Sequence, residues 1–520
     1  MTDYTRRRVL KTGFATTVGA ALPRFVLAAQ ASTRASLSIE PARVLNRIPA
    51  SYNGFSIETV TLENPSVYHA ANRDLVALFR CLTTDGVLRI GGNSSEFCWW
   101  KAAADAQAPQ IKAAGVGRSD NWMPQQLHAI TPQAIDNLRG FLDATGWSCI
   151  YGLNFGTGSP ARDAEEAAYV ARVLGPKLKY FQIGNEPDLY RTPNNLLRPS
   201  GWDFPDYLRE WLEIARAVIA RVPDAKFGGP DVGGAADWVV QFGQQVPKLL
   251  GQERLAELTG HYYAEGPPDS PSASIQNLLA TDPRIAERMD AIMPVARANG
   301  LTFRMAEGNS CYRGGKAGMS NALAGALWGM DYMLDMAARG CVGINLHGGG
   351  GKEISESLGN KLPGARDARD LEIAKLGTFY SPIAGNLELG YHARPIFYGM
   401  LAVQQFANTD LVATRFDTHG VNANAYAAKR VDGWCIAVVN KDLRLDLTVD
   451  VVVPPGCKSA ATWRLTGPSI DATENVSLAG ARVSGTDAKW TALATESVAV
   501  KEGRAALEVP HASAALLFVS

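Results

Sequence analysis

Eight short apolar runs recur along the first three-quarters of the chain, each closing on glycine or polar residues. They are YNGFSIE (52–58), VLRIGGN (87–93), WSCIYGLNFG (147–156), YFQIGNE (180–186), KFGGPDV (226–232), LTGHYYA (258–264), FRMAEGN (303–309) and CVGINLHGG (341–349). Near-continuous apolar runs of this length suit strands buried on both faces. Between them, 66–83, 132–145, 162–174, 204–221, 236–250, 284–299 and 320–339 carry a helical period, and a last helix is expected over 394–408. Strand and helix alternating eight times predict a (β/α)8 barrel of the TIM type over residues 49–408. A doubly wound open sheet is the alternative, but no G-x-G-x-x-G turn follows the first run.

After residue 409 the texture changes to alternating apolar positions and turn signals, as in NANAYAAKRVDGWCIAVVNKD and LTVDVVVPPG. Asp432-Gly433 between two alternating runs is a hairpin signal. Residues 409–520 therefore predict an all-β sandwich domain, to which the alternating stretch 32–48 adds a strand. The charged, glycine-rich stretch 350–378 has no clear period and reads as a long loop over the barrel mouth.

The bulk composition excludes global disorder, with 46% hydrophobic and 20% charged residues in 520. Fifty-one basic residues balance 51 acidic ones, so the chain lacks the basic footprint of a nucleic-acid binder. The N-terminus changes this slightly. TRRRVLK, a short apolar stretch and Ala29-Gln30-Ala31 predict a twin-arginine export signal over residues 1–31. Its removal leaves 46 basic and 50 acidic residues, a net charge of −4. A periplasmic or secreted protein follows, with no membrane anchor, since no segment reaches bilayer length. Nothing in the sequence sets an oligomeric state. The seven cysteines are dispersed and form no C-x-x-C pair, so neither a zinc site nor a redox motif is indicated; Cys81, Cys149 and Cys341 read as small core residues.

Barrel active sites lie at the C-terminal ends of the strands. Glu58, Asn93, Asn185, Glu186, Tyr262 or Tyr263, Glu307 and His347 stand there. Two carboxylic acids at matched strand ends are what glycoside cleavage needs: one protonates the leaving oxygen and the other attacks the anomeric carbon. Glu186 and Glu307 are 121 residues apart, three strand–helix units, which assigns them to strands four and seven. No metal or other cofactor is called for; seven scattered histidines and no H-x-H on strand one disfavour a metal-dependent hydrolase.

Five stretches together resemble glycoside hydrolase family 79, the heparanase-like β-glucuronidases of clan A: GFSIE (54–58), LRIGGNSSEF (88–97), the GNEP at 184–187, HYYAEG (261–266) and AEGNSCYRGG (306–315). The resemblance covers about residues 50 to 405. It implies that Glu186 is the acid/base, Glu307 the nucleophile, and Asn185 the ligand of the sugar 2-hydroxyl. It implies that Tyr262 donates to the nucleophile or the sugar, although strand alternation lets only one of Tyr262 and Tyr263 face inward. His261 is equally consistent with a barrel-core residue and a ligand. Tyr312, Arg313, Gly314 and Tyr380 match the positions that bind the uronate carboxylate in the family, with Arg313 standing where a glycine is expected. Glu58 and Asn93 are placed to bind sugar hydroxyls.

The implied activity is retaining, exo-acting release of terminal β-linked D-glucuronate from a glucuronide or uronate-containing oligosaccharide. The slightly negative charge disfavours a long basic cleft for a sulfated polymer, although endo cleavage of a uronate-containing polysaccharide is the alternative. A non-catalytic carbohydrate-binding protein is a third reading, weakened by the presence of both carboxylates.

Overall fold

Each of the eight apolar runs forms one strand of a closed, parallel barrel. In chain order these are β1 (Asn53–Glu58), β2 (Val87–Gly91), β3 (Ser148–Leu153), β4 (Leu178–Ile183), β5 (Phe227–Val232), β6 (Leu255–Glu265), β7 (Thr302–Cys311) and β8 (Cys341–Gly348). β8 pairs with β1 to close the ring. Every residue of β1, β2 and β5 is buried. One face fills the barrel and the other meets the helices, so no polar alternation survives in the sequence. The computed structural model describes residues 32–111, 127–193, 195, 197–357, 362–483 and 488–520, without the side chains of 355–357. The export signal expected over 1–31 lies outside the described residues.

The helices begin where local chemistry satisfies their first amides. Thr131 accepts from the Ala134 amide at the start of α2 (Pro132–Thr145), and Asp203 forms a capping box with Asp206 on α4 (Phe204–Arg221). Asp282 accepts from the Arg284 amide to open α6 (Pro283–Ala298). Around the ring stand also α1 (Arg73–Leu82), α3 (Pro160–Leu174), α5 (Ala236–Leu250), α7 (Leu323–Ala338) and α8 (Pro395–Gln404). α1 starts later than the period suggested because Asn72 caps it through the Leu75 amide.

The stretch 350–378 is not a plain loop. It holds two short helices, Gly351–Ser357 and Ala368–Leu376, the second capped by the Asp367 side chain. Helices of about two turns present too few repeats for a period to register.

The C-terminal strands form one hydrogen-bonded sheet. It runs from Ala460–Thr466 through Ser513–Val519, Gly433–Asn440, Ala423–Arg430, Thr409–Asp417, Thr33–Ile48 and Leu447–Val452 to Arg504–Val509. The hairpin at Val431-Asp432 pairs Arg430 with Gly433. The sheet folds over its own apolar core, in which Leu37, Val449 and Leu507 share a cluster with Ile436, Val438 and Leu517. The sandwich is thus one curled sheet rather than two separate ones. Its other face joins the main core through Tyr426, Cys435, Ala437 and Leu516. Asp331 of α7 fastens the contact: it accepts from Asn424 at 3.0 Å and Tyr426 at 2.8 Å, and lies 2.6 Å from the Lys441 ammonium. All seven cysteines are free thiols. Cys149 and Cys341 are core residues, whereas Cys81 is only partly buried. Among the described residues, no helix is long and apolar enough to cross a membrane.

Candidate active site

The polypeptide leaves β4 at Ile183 and turns through Gly184 and Asn185 into Glu186, whose φ is +49°. Asp231 at the end of β5 has φ +62° and Arg313 after β7 has φ +61°. Left-handed backbone at a non-glycine residue costs on the order of 1–3 kcal/mol and persists where neighbours over-determine it. Here they do. The Glu186 amide donates to the Asp231 carbonyl at 2.9 Å. The Asp188 carboxylate accepts from the amides of Gly233, Gly234 and Ala235 at 2.8, 2.9 and 3.1 Å, tying the β4 turn to the loop after β5. Gly233 is packed against Glu186 closely enough that a Cβ would sit 3.1 Å from the carboxyl carbon. The left-handed Arg313 also accounts for the glycine expected at that position.

Arg89, fully buried in the middle of β2, organises the strand ends. Its guanidinium donates to Glu307 Oε2 at 2.5 Å, Asp231 Oδ2 at 2.5 Å, Asn185 Oδ1 at 2.7 Å, Gln182 Oε1 at 3.0 Å and Ser56 Oγ at 3.1 Å. A planar fork of five donors suits one buried cation serving several acceptors at fixed angles. His261 of β6 extends the network. Its Nδ1 lies 3.1 Å from Glu186 Oε1 in hydrogen-bond geometry, and its Nε2 lies 3.1 Å from Asp231 Oδ1, at ion-pair distance but out of hydrogen-bond alignment. Facing oxygens of Glu186 and Glu307 come within 4.8 Å of each other.

The two carboxyls have opposite proton affinities. Burial raises Glu186 above the usual carboxylate range, with Glu307 and Asp188 adding to the rise and His261 opposing it. Burial also pushes Glu307 upward, but His347, His261 and Arg89 around it and the Tyr263 hydroxyl outweigh it and hold Glu307 well below that range. For His261, burial favours the neutral ring; the nearby charges of Asp231 and Glu307, with the hydrogen bond to Glu186, overcome it and lift the pKa to about 10. The site thus sets a glutamate that holds its proton more tightly than usual beside one that releases it more readily.

The predicted residues assemble around this pair, with one exception. Asn185 donates from Nδ2 to Asn93 Oδ1 at 3.1 Å, and its amide donates to the buried Glu96 at 2.6 Å. Glu58 accepts from the Ser94 amide and hydroxyl at 2.9 and 2.6 Å and lies 3.4 Å from His347 Nε2. His347 Nδ1 is 3.7 Å from Glu307. Tyr380 is buried, with its ring centroid 5.8 Å from His347 and 6.2 Å from Tyr263, and accepts from the Gly314 amide. Tyr312 stands edge-on to Tyr263 at 6.4 Å, with the Arg313 guanidinium 5.6 Å from its ring centre. The exception is Tyr262, whose hydroxyl donates to Asp282 at 2.5 Å on the outside of the barrel. Tyr263 takes the inward place and donates to Glu307 Oε1 at 2.7 Å. Arg89, Asp231 and Gln182 were not singled out from the sequence. The arginine inside the apolar run VLRIGG was the available signal for the first.

Glu186, His261 and Glu307 have the spacing of a cation site. Their chemistry does not fit one. Carboxylate oxygens flank both imidazole nitrogens of a charged ring, and Glu307 already faces Arg89 at 2.5 Å. A metal ion would meet two cations and find no free imidazole lone pair.

No model of a known protein family matches the chain. Over 281 residues it is 26% identical to a β-glucuronidase of Aspergillus niger, covering 50% of each chain. Over 350 residues it is 25% identical to a β-glucuronidase of Neurospora crassa, covering 60% of each. The aligned region thus spans about half the length of the first of these curated relatives and 60% of the second. Among solved structures it resembles a 4-O-α-L-rhamnosyl-β-D-glucuronidase from Fusarium oxysporum, with TM-score 0.69 and 16% identity over 94% of this chain and 99% of that one. A family 51 α-L-arabinofuranosidase from Thermotoga petrophila gives TM-score 0.62 and 16% identity over 94% and 100%. At these identities the likeness establishes the fold: a (β/α)8 barrel carrying an all-β domain.

Proposed function

We propose that the protein is a retaining glycoside hydrolase of the family 79 type that releases terminal β-linked D-glucuronate. The observation that carries the reading is the Glu186–Glu307 pair, with facing oxygens within 4.8 Å and opposite proton preferences. Retaining enzymes hold their carboxyl groups about 5–5.5 Å apart, and inverting ones leave room for a water. In the first step protonated Glu186 donates to the glycosidic oxygen as ionised Glu307 attacks the anomeric carbon. In the second, Glu186 takes a proton from water, the water oxygen attacks the same carbon, and Glu307 leaves as a carboxylate. Arg89, Tyr263 and His347 stabilise that leaving charge.

The glucuronate preference draws support from the two β-glucuronidase relatives and from Tyr312 and Tyr380, whose rings lie about Tyr263 next to Glu307, with Arg313 against Tyr312 and Gly314 against Tyr380. A uronate carboxylate there meets a backbone amide, two phenols and a guanidinium. The mature charge of −4 favours exo action on a terminal residue over movement along a polyanion. Export through the twin-arginine signal at 1–31 completes the proposal.

Turnover of aryl β-D-glucuronide, galacturonide and glucoside tests the reading. The glucuronide is expected to be cleaved first and to give β-glucuronate as the initial product by NMR. Glu186→Gln and Glu307→Gln are expected to fold and to lose at least about 10³-fold in kcat. Unchanged activity in either variant would sink the two-carboxylate mechanism, and α-glucuronate as the first product would sink retention.

A further inference from the structure

Asp231 reaches both reacting carboxyls without touching either. It ends β5, is 1% exposed, and accepts from Arg89 at 2.5 Å through Oδ2 and from Gln182 at 2.7 Å through Oδ1, which also lies 3.1 Å from His261 Nε2. Arg89 continues to Glu307 at 2.5 Å and His261 continues to Glu186 at 3.1 Å. Its carbonyl also receives the Glu186 amide. We propose that Asp231 is a positioning residue of the double displacement: one buried carboxylate orients Arg89 on the nucleophile and holds His261 as an imidazolium on the acid/base. This rests on the proposed function for its kinetic consequence, though not for its structural one.

The physical reason is charge balance in a dry site. Arg89 and His261 would be two buried cations facing two carboxyls, one of which must stay protonated and uncharged. A third carboxylate that never meets the sugar supplies the missing negative charge. The groups facing His261 are Glu186 from the end of β4, Asp231 from β5, Glu307 from β7 at 3.8 Å, and Arg288 of α6, which donates to the His261 carbonyl. Arg89 of β2 stands beyond Asp231. Of the acids, Glu186 is neutral until it gives up its proton, and Glu307 is covalently occupied in the intermediate. Asp231 alone stays anionic through both half-reactions.

Asp231→Asn tests this, because it keeps size and shape while removing the charge. In the free enzyme the His261 ring is observed by NMR across pH 5 to 9. The wild-type ring is expected to remain charged past pH 8, and the variant ring to titrate in the ordinary histidine range near about 6.5. On an aryl β-glucuronide the variant is expected to lose on the order of 10²-fold in kcat, with KM changed less than about threefold, as misaimed reacting groups require. An unaltered His261 titration, or an unaltered kcat in a folded variant, overturns the inference. If the variant does not fold, the wild type still decides: a ring found neutral at pH 7 overturns it, and a charged ring supports it. A wild type inert on all the glycosides removes the proposed function instead and leaves the NMR result to judge Asp231.

Discussion

Tyr262 and Tyr263, neighbours on β6, end on opposite sides of the barrel wall: the first donates to Asp282 at 2.5 Å and the second to Glu307 at 2.7 Å. Burial and the adjacent Glu307 charge keep the Tyr263 phenol protonated and able to donate. Tyr263→Phe removes one bond to an ionised carboxylate, worth about 1.5–3 kcal/mol. It is expected to lower kcat/KM by roughly 10- to 100-fold at unchanged fold. Tyr262→Phe is expected to stay within about twofold of wild type in kcat/KM and to lose about 1 kcal/mol of stability. Steady-state kinetics on both variants check the assignment, and a reversed ranking would refute it.

The proton preferences of the pair set the pH profile. In the proposed double displacement, activity requires Glu307 ionised and Glu186 protonated. The acid limb of kcat/KM should therefore fall below the ordinary glutamate value of about 4.3, and the alkaline limb above it. Glu186→Gln is expected to abolish the alkaline limb when a dinitrophenyl glycoside, whose leaving group needs no proton, is used. A profile whose alkaline limb survives that substitution would reassign the acid.

The barrel was legible because eight strands buried on both faces leave eight near-continuous apolar runs. The same burial hid which tyrosine turns inward. On β6 Tyr262 is buried and Tyr263 partly so, both aromatic, so polarity does not mark the inner face, and a register shift between Met305 and Glu307 on β7 moves the pairing that would settle it. Glu186 and Glu307 were legible from their place at strand ends. Asp231 was not, since a Gly-Gly-Pro-Asp stretch reads as a turn, and its partners Arg89 and His261 lie 142 and 30 residues away. The two helices within 350–378 were too short to show a period.

Gly92 offers a test of Glu58. It has φ +73°, and a Cβ there would meet the Glu58 carboxyl at 2.4 to 2.7 Å. Gly92→Ala must strain the backbone by roughly 1–2 kcal/mol and displace Glu58 from Ser94. A fall in unfolding temperature with a several-fold higher KM for the glycoside is expected. An unchanged KM beside the stability loss would remove Glu58 from substrate binding.

A second buried charge cluster lies near the N-terminal ends of β4, β6 and β7, away from the strand ends that carry the reacting carboxyls. Glu257 of β6 accepts from Arg304 of β7 at 2.8 Å and from Tyr180 at 2.7 Å, and it lies 3.0 Å from Lys179. Burial raises its pKa, but Arg304 and Lys179 overcome this and leave it below the ordinary glutamate range. A carboxyl depressed in the folded state contributes stability above its unfolded pKa and loses it as pH falls through the folded one. Wild-type unfolding temperature should therefore fall as pH drops below about 4. Removing one partner strands the other, so Arg304→Met should cost about 3–5 kcal/mol, whereas replacing Glu257 as well with methionine should recover much of it. The double variant should also lose the part of the acid sensitivity due to Glu257. Unfolding temperatures of wild type, single and double variants across pH 3 to 7 check both statements, and kcat/KM in the double variant should stay within about twofold of wild type because Glu257 and Arg304 touch none of the reacting groups.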